Sequence, residues 1–164
     1  MKEKKEKKSE NKIIVNTGKA TRAYNLLTAQ KTDKGEGFKL PSEMETADIF
    51  RVLRATNAIR PIATAMTDFQ TDAQKRLQSD NWEELTQKLQ RFSELSKEEK
   101  AEVNRDVADY NRRIDECIST EVAKDREIDS YEKLSEEAFA TLIKANGHLL
   151  NLGDIVLLEE ILCK

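Results

Sequence analysis

Residues 52–77 read VLRATNAIRPIATAMTDFQTDAQKRL, and this stretch decides the fold. Its apolar side chains recur at alternating spacings of three and four residues, which places them on one face of an α-helix. Pro61 lacks an N–H group, but the repeat keeps its phase across it. We therefore predict one helix, from the cap at Ser42 to about Ser79, that is kinked at Pro61 rather than split in two. The repeat comprises Val52, Ala55, Ile59, Ile62, Met66, Phe69 and Ala73, and is widened by Ile49, Phe50 and Leu53.

Further helices are predicted on both sides of this stretch from the same repeat and from capping signals. Ser42 with Glu45, and Ser96 with Glu99, match the capping box, in which a hydroxyl and a carboxylate each bond an unpaired N–H group. The predicted helices are Thr17–Lys31 with Thr17 as its cap, Trp82–Phe92, Ser96–Cys117, Ser135 to a left-handed stop at Asn146-Gly147, and Asp154–Leu162.

The predicted fold class is mainly α: a helical bundle with a kinked long central helix and a minor two-stranded β-ribbon. Only 5 Gly and 2 Pro occur in 164 residues, which favours helices. The β-branched run Ile13–Val15 predicts a short strand, whose best partner is Glu127–Tyr131. Residues 1–12, MKEKKEKKSENK, have no apolar side chain after Met1 and are predicted to be a disordered basic tail. Residues 13–164 are predicted to form a single helical domain.

The net charge, the apolar runs and the cysteines limit the partners and the cellular location that we expect. The net charge of −3 argues against a nucleic-acid partner, because phosphate backbones are bound by an excess of Lys and Arg. No apolar run reaches the ~18 residues of a membrane span, and the N-terminus lacks the apolar core of a signal peptide. Cys117 and Cys163 are predicted to be reduced thiols, with one disulfide as the alternative, which favours a cytoplasmic protein.

The residues that catalysis requires are scarce. His148 is the single histidine and is predicted to lie in a turn, where a general-base role is disfavoured. With one histidine and no close cysteine pair, a zinc or di-iron site cannot be assembled. Gly35-Glu36-Gly37 lacks the preceding strand that a phosphate-binding loop needs. We therefore predict a protein that is not an enzyme and that uses no metal or cofactor.

A group of arginines on the first half of the long helix is the best candidate site. Arg51 and Arg54 are i, i+3 neighbours, and guanidinium groups bind phosphate and carboxylate through paired hydrogen bonds. The alternative is that these arginines form salt bridges with Glu43, Glu45 or Asp48. The candidate ligand-binding residues are Arg51, Arg54, Asn57, Arg60 and Arg22, the last on the first helix.

Two further groups of residues could either bind a ligand or have a structural role. Arg112 and Arg113 form a second arginine pair, for which salt bridges are again the alternative. Four aromatic residues have rings that could stack on bases, but their helical spacing favours a place in the core: Tyr24, Trp82, Tyr110 and Tyr131.

Three segments in a particular order resemble a known group of proteins. They are KIIVNTGKATRAYNLL (12–27), the long-helix stretch 52–77, and EVAKDREIDSYEKLSEEAFATLIKAN (121–146), which leads into an apolar C-terminal helix. This order resembles small helical accessory proteins of tailed bacteriophages and prophages, a family of unknown function. The resemblance implies a phage setting, and therefore the cytoplasm of a bacterial host cell, and it assigns no functional residue.

The sequence leaves two functions open for a non-catalytic binding protein. The first is a phage accessory factor that counters host defence by sequestering a host ligand, an anionic small molecule such as a nucleotide immune signal, at the arginine group. The alternative is a virion-assembly or tail-associated factor that binds a phage or host protein. We expect a homo-oligomer, because the apolar repeat and the C-terminal helix offer more apolar surface than one small core uses.

Overall fold

The computed structural model describes residues 12–32 and 35–164, and it is mainly α with one two-stranded antiparallel sheet, as predicted. Its elements are β1 (Lys12–Asn16), α1 (Thr17–Leu27), α2 (Thr46–Arg76), α3 (Trp82–Gln90), a single 3₁₀ turn (Phe92–Glu94), α4 (Lys97–Val122), β2 (Asp125–Asp129), α5 (Glu136–Asn146) and α6 (Leu152–Leu162). Of the predicted basic tail, residues 1–11 lie outside the described residues, whereas Lys12 is the first residue of β1.

Contacts divide the chain into two compact units. The first unit contains the described residues up to Ala65 together with Lys124–Lys164, and the second contains Met66–Ala123. The first unit therefore holds the sheet, α1, the first part of α2, α5 and α6. The second holds the rest of α2, α3 and α4.

The sheet of the first unit pairs β1 with β2 so that Ile13 lies opposite Ile128. The second strand begins two residues before the predicted stretch Glu127–Tyr131. Because side chains alternate between the two faces of a strand, Val15 is buried while Ile14 is 71% exposed. The ribbon thus buries one face against the helices of its unit.

Helix α1 is capped by Asn16, so the prediction of Thr17 as the cap is wrong. The Asn16 side chain accepts hydrogen bonds from the N–H groups of Gly18 and Lys19, at 3.0 and 3.2 Å. Asparagine is the stronger capping residue of the two. Thr17 is the first helical residue, and its hydroxyl donates to the Lys124 carbonyl at 2.8 Å. The start of α1 is thereby tied to the residue before β2.

The predicted end of α1 at Lys31 is also wrong, since the helix ends at Leu27 and the chain folds back beside it. The Phe38 N–H donates to the Ala29 carbonyl at 2.8 Å. Gly37 permits this return, because a Cβ atom there would lie 2.5 Å from the Ala29 carbonyl oxygen. A contact with a residue further along the chain, rather than local helix propensity, sets this boundary.

Helix α2 starts at Thr46, and the predicted capping box at Ser42 does not form. The Met44 N–H donates to the Pro41 carbonyl at 3.1 Å, so these residues form a turn before the helix. Pro61 lies inside one uninterrupted helix, which confirms a single helix rather than two. The apolar repeat is buried as predicted at Val52, Ala55, Ile59, Ile62, Met66 and Ala73.

The segment after β2 caps the C-terminal end of α6. The Leu134 N–H donates to the Leu162 carbonyl at 2.7 Å, and the Tyr131 hydroxyl donates to the Ile161 carbonyl at 2.9 Å. The last carbonyl groups of a helix have no partner within it, so these bonds remove a cost of burying the terminus. Leu134 and Leu162 are each only 1% exposed, so this junction lies in the core.

Asn146 ends α5 in a manner that the sequence does not reveal. Its side chain is fully buried; it accepts from the Lys39 N–H at 2.7 Å and donates to the carbonyls of Lys39 and Leu142 at 2.8 and 2.9 Å. Gly147 has φ −58° and ψ −22°, so the predicted left-handed stop is wrong. The chain continues into a right-handed turn because Asn146 binds the Lys39 loop instead.

The second unit contains a pair of helices, α3 and α4, joined by a short connection. Ser96 and Glu99 form the predicted capping box at the start of α4, with bonds of 3.2 and 2.8 Å. The Trp82 and Tyr110 ring centroids lie 4.5 Å apart, and Lys88 Nζ lies 4.0 Å from Glu102 Oε2. These cross-contacts show that α3 and α4 run antiparallel.

Candidate functional site

The five predicted site residues do not form one cluster. Arg22 lies on α1, and the other four lie on α2 at intervals of three residues. Each such step rotates about 60° around a helix, so Arg51 and Arg60 lie on opposite sides of α2. Arg54, Asn57 and Arg60 are exposed and share one side, whereas Arg51 is partly buried on the flank.

Arg51 is occupied by two carboxylates. Its two terminal nitrogens donate to Asp48 Oδ1 and Glu132 Oε1, each at 2.6 Å. The hydrogen bonds with Glu132 and Asp48 raise the pKa of Arg51, and the bond from Arg51 lowers the pKa of Glu132. The alternative of a salt bridge to Asp48 therefore holds for Arg51. An anion would have to displace a carboxylate to reach it.

Arg22 has a structural partner in Asp154. Its Nε and one terminal nitrogen donate to Asp154 Oδ1 at 2.9 and 2.6 Å. Asp154 is 5% exposed and also accepts from the Asn151 N–H, in a capping box that starts α6 two residues before the predicted Asp154. The pair links α1 to the start of α6 across the first unit.

The exposed side of α2 carries two apolar side chains among the arginines. Phe50 is 53% exposed and Leu53 is 42% exposed, so these two residues of the widened repeat are not buried within the chain. On a helical wheel they lie opposite the repeat, and this signal was available in the sequence. We call the set Phe50, Leu53, Arg54, Asn57 and Arg60 the outer α2 face.

The two arginines of the outer α2 face are available for binding. Within the part of the chain that the structure describes, neither Arg54 nor Arg60 has a carboxylate within 4.0 Å. The charge of Arg54 contributes to the lowered pKa of Glu132, but its effect is smaller than that of Arg51. The outer α2 face therefore combines the apolar side chains of Phe50 and Leu53 with the positive charges of Arg54 and Arg60.

A groove beside Arg51 has the opposite charge. Its volume is about 370 Å³, and it lies between the start of α2 and the start of α5. Four carboxylates line it, against the single guanidinium of Arg51: Glu43, Glu45, Asp48 and Glu137. A groove with this excess of negative charge repels a nucleotide or another anion.

The single histidine and the two cysteines are the side chains considered first for catalysis. The His148 side chain is 44% exposed, with Nε2 3.8 Å from Glu36 Oε2. Both cysteines are free; Cys163 is buried in the first unit, and Cys117 belongs to the second. Burial raises the pKa of Tyr131 to about 12, so its hydroxyl stays protonated and bound to α6. Among residues 12–32 and 35–164, no group of three or more His, Cys, Asp or Glu side chains could hold a metal ion.

Comparisons with known proteins add no relative. The chain matches no protein-family model, no curated protein and no solved structure. None of the helices in the described ranges is long and apolar enough to cross a lipid bilayer. The function is therefore argued from the outer α2 face and the groups around it.

Proposed function

We propose that this chain is a non-catalytic binding protein and that the outer α2 face docks a protein partner. The partner that fits presents an apolar patch edged by carboxylates. The observation that supports this proposal is the exposure of Phe50 and Leu53 beside two arginines without ion-pair partners in the described chain. Phenylalanine and arginine are enriched in the cores of protein interfaces.

The shape of this surface favours a protein over a small ligand. Small-molecule sites are concave and enclose most of the ligand, whereas the outer α2 face is the convex side of a single helix. The adjoining groove is concave, but its four carboxylates disfavour an anionic ligand. Arg51 and Arg22 are bound to Glu132, Asp48 and Asp154, and these ion pairs would compete with a ligand for the two guanidinium groups.

Sequestration of an anionic ligand is a second candidate, supported by one local arrangement. The exposed Phe50 ring is followed one turn later by Arg54, so a base could stack on the ring while its phosphate meets the guanidinium. Such a ligand would need a second copy of the chain to cover it. Native mass spectrometry of the purified protein reports the number of subunits and any retained ligand together; a ligand-free spectrum argues against this candidate.

The resemblance to phage accessory proteins supplies the setting of the proposal. In an infected bacterium, the partner would be a host-defence protein or a component of the virion. The homo-oligomer remains a prediction, and a second copy of the chain is one of the occupants that the following experiment identifies.

Site-specific photo-crosslinking tests the proposed surface. We would introduce benzoylphenylalanine at Asn57, in the centre of the outer α2 face, and at Asn111, an exposed control position on α4. The proposal predicts one dominant protein partner at position 57 in infected cells and little cross-linking at position 111. Cross-links between two copies would assign the face to self-association, and equal cross-linking at both positions would contradict the proposal.

A further inference from the structure

A small pocket of the second unit is lined by α3, α4 and the segment that precedes α3. None of its lining residues belongs to the outer α2 face. Its volume is about 90 Å³, enough for about three water molecules at ~30 Å³ each. Trp82 and Tyr110 line it with rings 4.5 Å apart, and the buried Leu85 side chain lines it as well. The Tyr110 hydroxyl donates to the Gln74 carbonyl at 2.9 Å, which fixes that ring in place.

Two opposite charges line the same pocket without neutralising each other. Asp106 and Arg113 lie seven residues apart on one face of α4, and both are partly buried. Within the described chain neither forms a salt bridge, so their charged atoms lie more than 4.0 Å from each other and from any other counter-ion. Asp109, between them, is held by Arg112 at 2.6 Å. Both charges keep partial exposure, so water or a ligand can contact them.

The two ends of the pocket carry different polar groups, because α3 and α4 run antiparallel. Asn81 precedes α3 at its capping position, yet its side chain makes no capping hydrogen bond. Asn81 and Arg113 both line the pocket, as do Leu85 and Asp106. Because α3 and α4 run antiparallel at Trp82 and Tyr110, Asn81 lies on the Arg113 side of this ring pair and Leu85 lies on the Asp106 side. One end of the pocket therefore offers donors for an anionic group, and the other offers a carboxylate beside aromatic rings for a cationic group.

We propose that this pocket binds a free α-amino acid through its main-chain zwitterion. The α-carboxylate contacts Arg113 and the Asn81 amide, and the α-ammonium contacts Asp106 and the faces of the aromatic rings. A ligand that carries both charges satisfies both unpaired groups together. The volume is sufficient for glycine, and a larger amino acid would place its side chain outside the pocket.

The single tryptophan of the chain, Trp82, reports on this pocket directly. Titration with glycine, with L-alanine and then with the other L-amino acids is expected to change its fluorescence saturably for at least one of them. We expect a Kd of about 1 mM or below, and methylammonium and acetate, which satisfy one charge each, should bind at least about tenfold more weakly. If ligand-observed NMR at about 10 mM also detects no binding of any amino acid, the proposal is overturned.

Charge-removing variants locate the binding. Asp106→Asn and Arg113→Gln should each weaken binding at least about tenfold while circular dichroism shows an unchanged helix content. Asp115→Asn and Arg105→Gln, at exposed positions of the same helix, are the matched controls and should leave the affinity unchanged. Equal affinities in all four variants would show that the amino acid binds elsewhere and would overturn the assignment.

Discussion

Replacing Asn146 with alanine should destabilise the first unit strongly, although this residue lies at no predicted site. Its fully buried side chain makes three hydrogen bonds, two of them to the backbone of Lys39, which is 107 residues away in sequence. At about 1 kcal/mol net for each bond, Asn146→Ala should lower the free energy of unfolding by about 3 kcal/mol. The Lys39 loop would lose its attachment to α5.

Urea denaturation followed by circular dichroism measures this loss. Asn25→Ala is the matched control, because Asn25 is exposed on α1 and the change should alter stability by less than about 0.5 kcal/mol. Trp82 lies in the second unit, so its fluorescence follows that unit separately. Coincident transitions of the two signals would support the predicted single domain. A change below about 0.5 kcal/mol for Asn146→Ala would refute the structural role assigned to this side chain.

Asn146→Asp sharpens the test, because it keeps the shape and removes the donors. The introduced carboxylate would face the carbonyls of Lys39 and Leu142 in a buried position, so its pKa should rise above the ordinary value. A folded-state pKa above the unfolded one favours the folded protein when the group is protonated. The variant should therefore lose more stability at pH 7 than at pH 4. An equal loss at both pH values would contradict this reasoning.

Three further predictions concern the first unit. Gly37→Ala should lower the free energy of unfolding by about 1–3 kcal/mol in a urea titration, because its Cβ would meet backbone atoms at 2.5 Å; Gly35→Ala, with nothing within 4 Å, should not. NMR titration should give Glu132 a pKa below 4.5, and this pKa should return towards 4.5 in Arg51→Gln. The stability that the Arg51–Glu132 pair adds is present above pH 4.5 and is lost as the pH falls through the lowered pKa of Glu132. Ultraviolet titration should show Tyr131 ionising at a pKa of about 12, and Tyr131→Phe should remove that transition and about 1 kcal/mol of stability. A Tyr131 pKa near 10 would show that the ring is not buried.

The sequence was sufficient where the determinants are local. The three-four repeat predicted α2 across Pro61, and Ser96 with Glu99 predicted the start of α4. The β-branched run Ile13–Val15 predicted β1. Its partner β2 is distant in sequence and begins two residues before the predicted stretch. The apolar periodicity and the capping motifs depend on residues within one or two helical turns, so they can be recognised without the tertiary structure.

The sequence was insufficient where the determinants are distant. Arg51 is bound by Glu132, 81 residues away, and Asn146 by the Lys39 loop, so neither role leaves a local pattern. Phe50 shows a different limitation. Its apolar character suggested burial, although its angular position on α2 is opposite the repeat and indicated exposure. Angular position was the better guide to the candidate surface than residue type.

The proposed docking surface is tested most directly by affinities for the partner that cross-linking at position 57 identifies, measured with both proteins purified. Leu53→Ala and Leu89→Ala are closely matched, because these leucines are 42% and 43% exposed on α2 and α3. We predict that Leu53→Ala and Arg54→Ala each weaken binding about tenfold or more, while Leu89→Ala and Arg105→Ala change it by less than about twofold. Equal losses in the two leucine variants, or no loss in either, would contradict the claim that the outer α2 face binds the partner.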